Sequence, residues 1–206
     1  MGFILNIDTS LDTASVCIAK EGNVLETAIN DNFKDHASWL HVAIKNIIQK
    51  NGFNPDECEA VAVSVGPGSY TGLRVGLASA KGICYALNIP LITISTLKMI
   101  ALAASEDFKG YDIICPLIDA RRMEVYTASY SPSLVELTGP QALIIDENSF
   151  SAILKLSKVL FCGNGSKKLQ KILKSSNALF SDKIVDISPH IARLSYNCFQ
   201  NKEFSN

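Results

Sequence analysis

Short apolar runs separated by polar breaks open the chain and predict a three-stranded meander. The predicted strands cover residues 3–7, 14–19 and 24–29. The polar triplet Asp8-Thr9-Ser10 ends the first run, and Glu21-Gly22-Asn23 provides the second turn. The triplet therefore lies at the first turn of a hairpin.

Paired apolar residues then recur at helical spacing, at Trp39/Leu40, Ala43/Ile44 and Ile47/Ile48. Asp35 is positioned to cap this predicted helix and Asn51-Gly52 to end it. The following pattern predicts strands at 60–65 and 91–94, with a helix at about 71–88 between them. A short helix is predicted from Ser95 to Ala104.

Two landmarks of the first half return in the same order in the second half. The run ending in Asp8 is echoed by Pro116-Leu117-Ile118-Asp119, and Gly66-Pro67-Gly68-Ser69 is echoed by Gly163-Asn164-Gly165-Ser166. Further elements are predicted at 124–130 (strand) and at 147–157, 167–175 and 188–200 (helices). The echoes predict an α/β protein of two duplicated lobes, each a mixed sheet flanked by helices. The polar stretch 105–111 places the lobes at residues 1–105 and 106–206.

The composition is that of a globular protein. Of 206 residues, 48% are hydrophobic and 19% are charged, which excludes a disordered tail. The net charge of −1 and the absence of a basic block argue against nucleic-acid binding by this chain alone. Six cysteines without paired spacing are typical of a reducing compartment. No secretory signal or membrane-spanning run is seen, so a cytoplasmic location is expected.

Two polar segments are candidates for phosphate chemistry, and each has a structural alternative. Asp8, Thr9 and Ser10 would suit a hydrated Mg²⁺ or nucleotide phosphates, or else form an Asx-turn within the hairpin. The glycine-rich segment 66–72 would cradle phosphate at a helix start, or else form a tight turn with a helix cap. It is not a Walker loop, because no lysine follows its last glycine.

The predicted helix at 71–88 carries small residues at four-residue spacing. Gly72, Gly76 and Ala80 form this stripe. Because a glycine inside a helix costs about 1 kcal/mol relative to alanine, the stripe indicates a close backbone approach. Apolar residues circle most of this helix, so both of its sides are expected to be buried, one of them against its own sheet. The other side contacts either a second protein, which the apolar excess on the preceding helix favours, or that preceding helix itself.

The remaining candidates carry weaker signals. His36 and His41 are five residues apart and cannot form a His-x-x-x-His zinc pair, and His190 follows a proline at a helix start. A charged group at the turn after the run Pro116-Leu117-Ile118-Asp119 is either a site or a solvated turn. It consists of Asp119, Arg121, Arg122 and Glu124.

Three segments resemble the TsaB (YeaZ) family: NIDTSLDTASVCIA, SVGPGSYTGLRVGLASAKGICYAL and IDARRMEVY. The resemblance implies two lobes of the actin/sugar-kinase/Hsp70 (ASKHA) type. It also implies a non-catalytic subunit that dimerises with TsaD and works with the ATPase TsaE. Together these proteins form threonylcarbamoyladenosine next to the anticodon of tRNAs that read A-starting codons.

The same resemblance implies which residues matter. The His-x-x-x-His metal pair of TsaD falls here on Thr96 and Ile100, so no metal, cofactor or catalytic residue is expected. The partner-binding helices would use His36, Leu40, Ala43, Ile47, Leu73, Gly76, Leu77 and Ala80. Vestigial phosphate loops would comprise Asp8, Thr9, Ser10, Gly66, Gly68 and Ser69. Without TsaD the chain is expected to form a homodimer, and to meet tRNA only through the complex.

Two enzymatic alternatives stay open. One is an ATP-binding phosphotransferase or ATPase of the ASKHA class that uses Asp8, Asp119 and both glycine-rich turns. The other is a metal-dependent glycopeptidase, against which the missing histidine pair argues.

Overall fold

The computed structural model describes residues 2–32, 35–181 and 186–205. The chain forms two compact units. Unit 1 combines Met1–Thr96 with Asp186–Asn206, and unit 2 is Leu97–Val185.

Unit 1 contains a five-stranded mixed sheet with helices. Its elements are β1 (Phe3–Asp8), β2 (Ala14–Lys20), β3 (Asn23–Asn30), α1 (His36–Lys50), a 3-10 turn (Pro55–Glu57), β4 (Cys58–Ser64), α2 (Tyr70–Leu87), β5 (Leu91–Ile94) and α6 (Ser188–Gln200). The strand order is β3-β2-β1-β4-β5, with β1, β4 and β5 parallel and the first hairpins antiparallel. Because Ile7 pairs with Val63, Asp8 and Ser64 end neighbouring parallel strands.

The helices of unit 1 confirm the periodicity seen in the sequence. The apolar face of α1, including Leu40, Ile44 and Ile47, is buried in the unit 1 core. The Ser69 hydroxyl caps α2 by accepting from the Gly72 N–H at 3.2 Å, and α2 ends at Asn88 in the left-handed conformation.

Unit 2 repeats the same sheet plan. It contains most of α3 (Thr96–Asp107), then β6 (Ile113–Asp119), β7 (Glu124–Tyr130), β8 (Glu136–Ile144), α4 (Ser151–Leu154), β9 (Val159–Cys162), α5 (Ser166–Ile172) and β10 (Ala178–Phe180). The strand order β10-β9-β6-β7-β8 matches that of unit 1 when the elements are taken in chain order, with the same parallel and antiparallel neighbours. The predicted pair of mixed sheets flanked by helices is confirmed.

The division of the chain into units differs from the predicted lobes at 1–105 and 106–206, because the C-terminal helix α6 packs on the sheet of unit 1. Ser195 Oγ donates to Asn6 Oδ1 at 2.6 Å, and Cys17 Sγ donates to the Ser188 carbonyl at 3.7 Å. Ile191 and Ala192 of α6 are buried because the helix packs against β1 and β2.

Two smaller differences lie in unit 2. The helix predicted at 147–157 is only the single turn Ser151–Leu154, and β8 and β10 were not predicted. β8 contains Gly139 and Pro140 and is exposed along almost its whole length, so it lacks the alternation of a half-buried strand. No helix in the described part of the chain is long and apolar enough to cross a membrane.

Candidate docking surface and phosphate loops

Asp8 lies at the carboxyl end of β1 and is almost completely buried, with 1% of its surface exposed. Its Oδ1 accepts hydrogen bonds from the Ser10 backbone N–H at 3.1 Å and the Ser10 hydroxyl at 2.6 Å. Burial raises the pKa of Asp8, and this outweighs the opposing effects of Ser10, Ser64 and the His36 charge. Folding therefore shifts the protonation equilibrium of Asp8 toward the neutral acid.

The glycine-rich turn at residues 66–72 is hydrogen-bonded to the turn that contains Asp8. The Ser69 N–H donates to the Ser10 carbonyl at 2.7 Å, and the Thr9 hydroxyl donates to the Gly72 carbonyl at 2.7 Å. A Cβ at Gly68 would overlap the Ser10 carbonyl, which explains the glycine there. The N–H groups of Ser69 and Gly72 are both used within the protein, so these two donors are not free for an anion.

The corresponding turns of unit 2 also meet. The Gly165 N–H donates to the Leu117 carbonyl at 2.9 Å, and the Asp119 N–H donates to Asn164 Oδ1 at 2.8 Å. Lys168 Nζ lies 2.6 Å from Asp119 Oδ1. The pKa of Asp119 is lowered, because bonds from Lys168 and from the Arg121 N–H outweigh its partial desolvation.

The charged turn beyond Asp119 is held by backbone geometry. The Arg121 N–H donates to Asp119 Oδ1 at 2.7 Å, and both Arg121 and Arg122 have left-handed backbone, with φ of 68° and 44°. Arg121 and Arg122 are exposed, and Glu124 lies at the start of β7. This structure supports the hairpin-turn alternative for Asp119 and supplies no ligand cluster there.

The residues predicted to bind a partner are mostly internal to unit 1. Six are buried and two are half-buried: His36, Leu40, Ala43, Ile47, Gly76 and Ala80 in the first group, and Leu73 and Leu77 in the second. This corrects the predicted helix face. The strict apolar positions of α1 and α2 cover their own sheet, so the exposed surface of these helices is formed by their remaining positions.

The small-residue stripe of α2 approaches the Asp8 turn closely. A Cβ at Gly72 would overlap the Thr9 carbonyl, and a Cβ at Gly76 would overlap Thr9 Oγ1 and lie 3.5 Å from Val63. The close backbone approach inferred from the stripe is real. Its partner is the first turn of the same unit, however, and not a second protein or the preceding helix.

The opposite side of α2 is exposed and carries a second set of small residues. Ala78 and Gly82 lie there, and a Cβ at Gly82 would meet no atom within 4 Å. Tyr85 is 93% exposed on the same side. We call the set Ala78, Gly82 and Tyr85 the helix face.

Beside the helix face, α2 contacts α1 through a pair of polar side chains. His41 Nε2 lies 3.1 Å from Ser79 Oγ. The sequence did contain a signal for this face, because Ala78 and Gly82 repeat the four-residue spacing two positions beyond Gly76 and Ala80. The stripe of Gly72, Gly76 and Ala80 gives the stronger signal in the sequence, because it contains two glycines whereas the exposed set contains one.

The histidines and the remaining polar residues form no metal site in the described residues. No group of three His, Cys, Asp or Glu side chains there is arranged to hold an ion. Thr96 is buried at the start of α3, and the side chain of Ile100 is aliphatic, so these two do not fit a His-x-x-x-His metal pair. His190 is buried on α6, with Nδ1 3.2 Å from the Asp186 carbonyl.

Comparison with known proteins identifies the family. The family model described as "TsaD: tRNA N6-adenosine threonylcarbamoyltransferase" matches residues 24–200. The chain is 30% identical to the tRNA threonylcarbamoyladenosine biosynthesis protein TsaB of Bacillus subtilis over 174 residues, which are 83% of this chain and 75% of that protein. The chain belongs to the TsaB family.

Two further TsaB comparisons agree with this assignment. Escherichia coli TsaB is 33% identical over 131 residues, covering 62% of this chain and 54% of that protein. The solved structure of YeaZ from Pseudomonas aeruginosa superposes with a TM-score of 0.82 at 22% identity, covering 100% of this chain and 96% of that one. That superposition shows that the two chains share the TsaB fold.

Proposed function

We propose that this chain is a non-catalytic scaffold subunit that binds a TsaD-type partner in forming threonylcarbamoyladenosine in tRNA. In this proposal TsaE completes the complex in the cytoplasm, and tRNA is bound only by the assembled proteins. The observation that carries the proposal is the exposed helix face, in a chain whose predicted phosphate loops are hydrogen-bonded to each other.

The composition of the helix face supports a protein partner. Tyr85 offers a large, rigid side chain with one polar atom, of the kind that dominates binding energy in protein interfaces. Ala78 and Gly82 beside it allow the backbone of a partner helix to come close. A face of this kind suits helix-against-helix packing, with TsaD or, in its absence, with a second copy of the chain.

The phosphate loops support the absence of catalysis by this subunit. An anion-binding turn needs free N–H groups, whereas the Ser69 N–H is bonded to the Ser10 carbonyl. The described residues contain no group of three potential metal ligands, and Thr96 and Ile100 do not fit the metal pair of TsaD. The chemistry is therefore assigned to the partner.

A matched pair of variants tests the proposal. Gly82→Glu places a charge in open space on the helix face, whereas Val135→Glu places the same charge at another exposed position, in unit 2. Threonylcarbamoyladenosine formation is measured with purified TsaD and TsaE, and partner binding by size-exclusion chromatography with mass measurement.

We expect wild type and Val135→Glu to bind TsaD and to support product formation. Gly82→Glu should fold normally and lose both. Full product formation without this chain would overturn the scaffold role, and tight Mg-ATP binding by the isolated chain in calorimetry would favour the phosphotransferase instead. Normal partner binding by Gly82→Glu would move the docking surface elsewhere.

A further inference from the structure

The net charge of −1 conceals a separation of charge between the two units. Unit 1 has eight basic and eleven acidic residues, whereas unit 2 has eleven basic and nine acidic ones. The basic excess is concentrated further, since residues 148–181 contain six lysines and no acidic residue. This asymmetry is not visible in the overall composition.

Five of these six lysines are exposed. We call them the lysine surface: Lys155, Lys158, Lys167, Lys171 and Lys174. The sixth, Lys168, is half-buried and paired with Asp119. None of the five makes an ion pair with a carboxylate of the described residues, and Asp112 bonds only the backbone N–H of Lys158, at 2.8 Å.

The two ends of the segment 148–181 pack together in one core cluster of unit 2. Lys167 and Lys171 lie four residues apart on one side of α5, and Lys174 follows two residues after the helix ends; we call these three lysines the α5 stripe. Leu154, beside Lys155, packs in the same core cluster as Leu169 of α5 and Leu173, which directly follows that helix. Asn177 Nδ2 also donates to the Leu154 carbonyl at 2.9 Å, which ties the end of α4 to the segment after α5.

We infer that the lysine surface binds the phosphodiester backbone of RNA. Exposed ammonium groups that make no ion pair with a carboxylate are the electrostatic footprint of a polyanion site. Lys167 and Lys171 lie about 6 Å apart along the axis of α5, a length over which one nucleic-acid strand presents about two phosphates. The identity of the RNA as tRNA rests on the proposed function.

The packing of α5 distinguishes this surface from a membrane-binding helix. An interfacial helix inserts an apolar face beside its lysines. Leu169 of α5 and Leu173, which directly follows the helix, are instead buried in the core of unit 2. The lysine surface therefore suits a ligand that is met by charge alone.

The test compares two triple variants of equal charge. Lys167→Gln/Lys171→Gln/Lys174→Gln removes the α5 stripe, and Lys20→Gln/Lys109→Gln/Lys202→Gln removes three lysines elsewhere. The probe is a fluorescent, unmodified tRNA transcript with adenosine next to the anticodon. Dissociation constants are measured between 50 and 200 mM KCl with the full chain alone and in complex with TsaD.

We expect the stripe variant to weaken RNA binding by at least about tenfold at 100 mM KCl. Its salt slope, the change in log Kd with log[KCl], should fall by about two to three, or roughly one per lysine lost. The control should stay within about twofold of wild type. Equal losses in both variants, unchanged binding by the stripe variant, or no salt-dependent binding in either preparation would overturn the inference.

Two further measurements separate the causes of failure. If the stripe variant lost binding to vesicles containing anionic lipid while retaining RNA affinity, the surface would belong to membranes and the inference would fail. TsaD binding by both variants is checked by size-exclusion chromatography. Loss of RNA binding with intact TsaD binding supports the inference, whereas a wild-type chain that never binds TsaD refutes the proposed function and leaves the RNA titration as an independent result.

Discussion

The backbone N–H of Ser69 donates to the carbonyl oxygen of Ser10 at 2.7 Å. This bond joins the two turns that the sequence offers as phosphate loops and uses a donor that an anion would need. In unit 2 the second glycine-rich turn is held differently, by a bond from the Gly165 N–H to the carbonyl of Leu117, two residues before Asp119. Each half therefore holds its glycine-rich turn against its first strand or turn, but through residues that do not correspond.

Substitution of Gly72 tests whether this approach of turn and helix is essential. Gly72→Ala would place a methyl group against the Thr9 carbonyl, and backbone cannot easily yield, so we expect a loss of about 2 kcal/mol or more in unfolding free energy. Gly82→Ala enters open space and should be neutral or stabilising by up to about 1 kcal/mol. Urea denaturation compares the two, and equal stability would contradict the packing described.

Replacement of Asp8 tests its neutral state. Because folding raises the pKa of Asp8, the native protein binds the proton more tightly than the unfolded chain. The stability that the neutral acid provides is present below its unfolded pKa of about 3.8 and is lost as pH rises through the folded pKa. Relative to Asp8→Asn, wild type should therefore become less stable as pH rises from about 4 to 7.

The controls for Asp8 separate charge from hydrogen bonding. Asp8→Ala leaves the Ser10 hydroxyl without its acceptor and should cost about 1–3 kcal/mol at every pH. Asp8→Asn should also retain activity in the assembled complex. Loss of that activity with normal stability would instead indicate a working carboxylate.

Removal of the Lys168 charge tests the pair in unit 2. Lys168→Gln should raise the pKa of Asp119, which NMR titration measures directly. Because the Asp119 pKa is lowered in the folded chain, its contribution is present at neutral pH and disappears as pH falls through that pKa. The pair is partly exposed, so the loss at pH 7 should be only about 0–1 kcal/mol. An unchanged Asp119 pKa would show that the pair does not form.

Thiol reactivity tests the burial of the cysteines. Burial raises the pKa of Cys17 and Cys115 to about 12 and that of Cys58 to about 11, so their reactive thiolates are scarce at neutral pH. A thiol reagent at pH 8 should label at most Cys198 rapidly in the native chain, and all six cysteines after unfolding. Rapid labelling of Cys17 in the native state would contradict the packing beneath α6.

The helices and the sheet plan of unit 1 were predictable because burial on one side imposes a period. Apolar pairs at 39/40, 43/44 and 47/48 fix the existence of α1 but not which neighbour its apolar face contacts, and Asp8 and Asp119 mark the repeat. The strand β8 escaped prediction because neither of its sides is well buried. The packing of α6 on the sheet of unit 1 was also not predictable, because its apolar face would fit any open sheet.

The sequence by itself determined that α2 approaches another backbone closely, because two glycines at four-residue spacing have a cost that only such an approach offsets. Only the tertiary structure decided that this neighbour is Thr9, and that the exposed side with Ala78, Gly82 and Tyr85 is left for a partner. Periodicity states how residues are arranged around a helix axis. Which side meets which neighbour depends on contacts between residues far apart in the chain, such as Thr9 and Gly72, and local pattern carries no record of them.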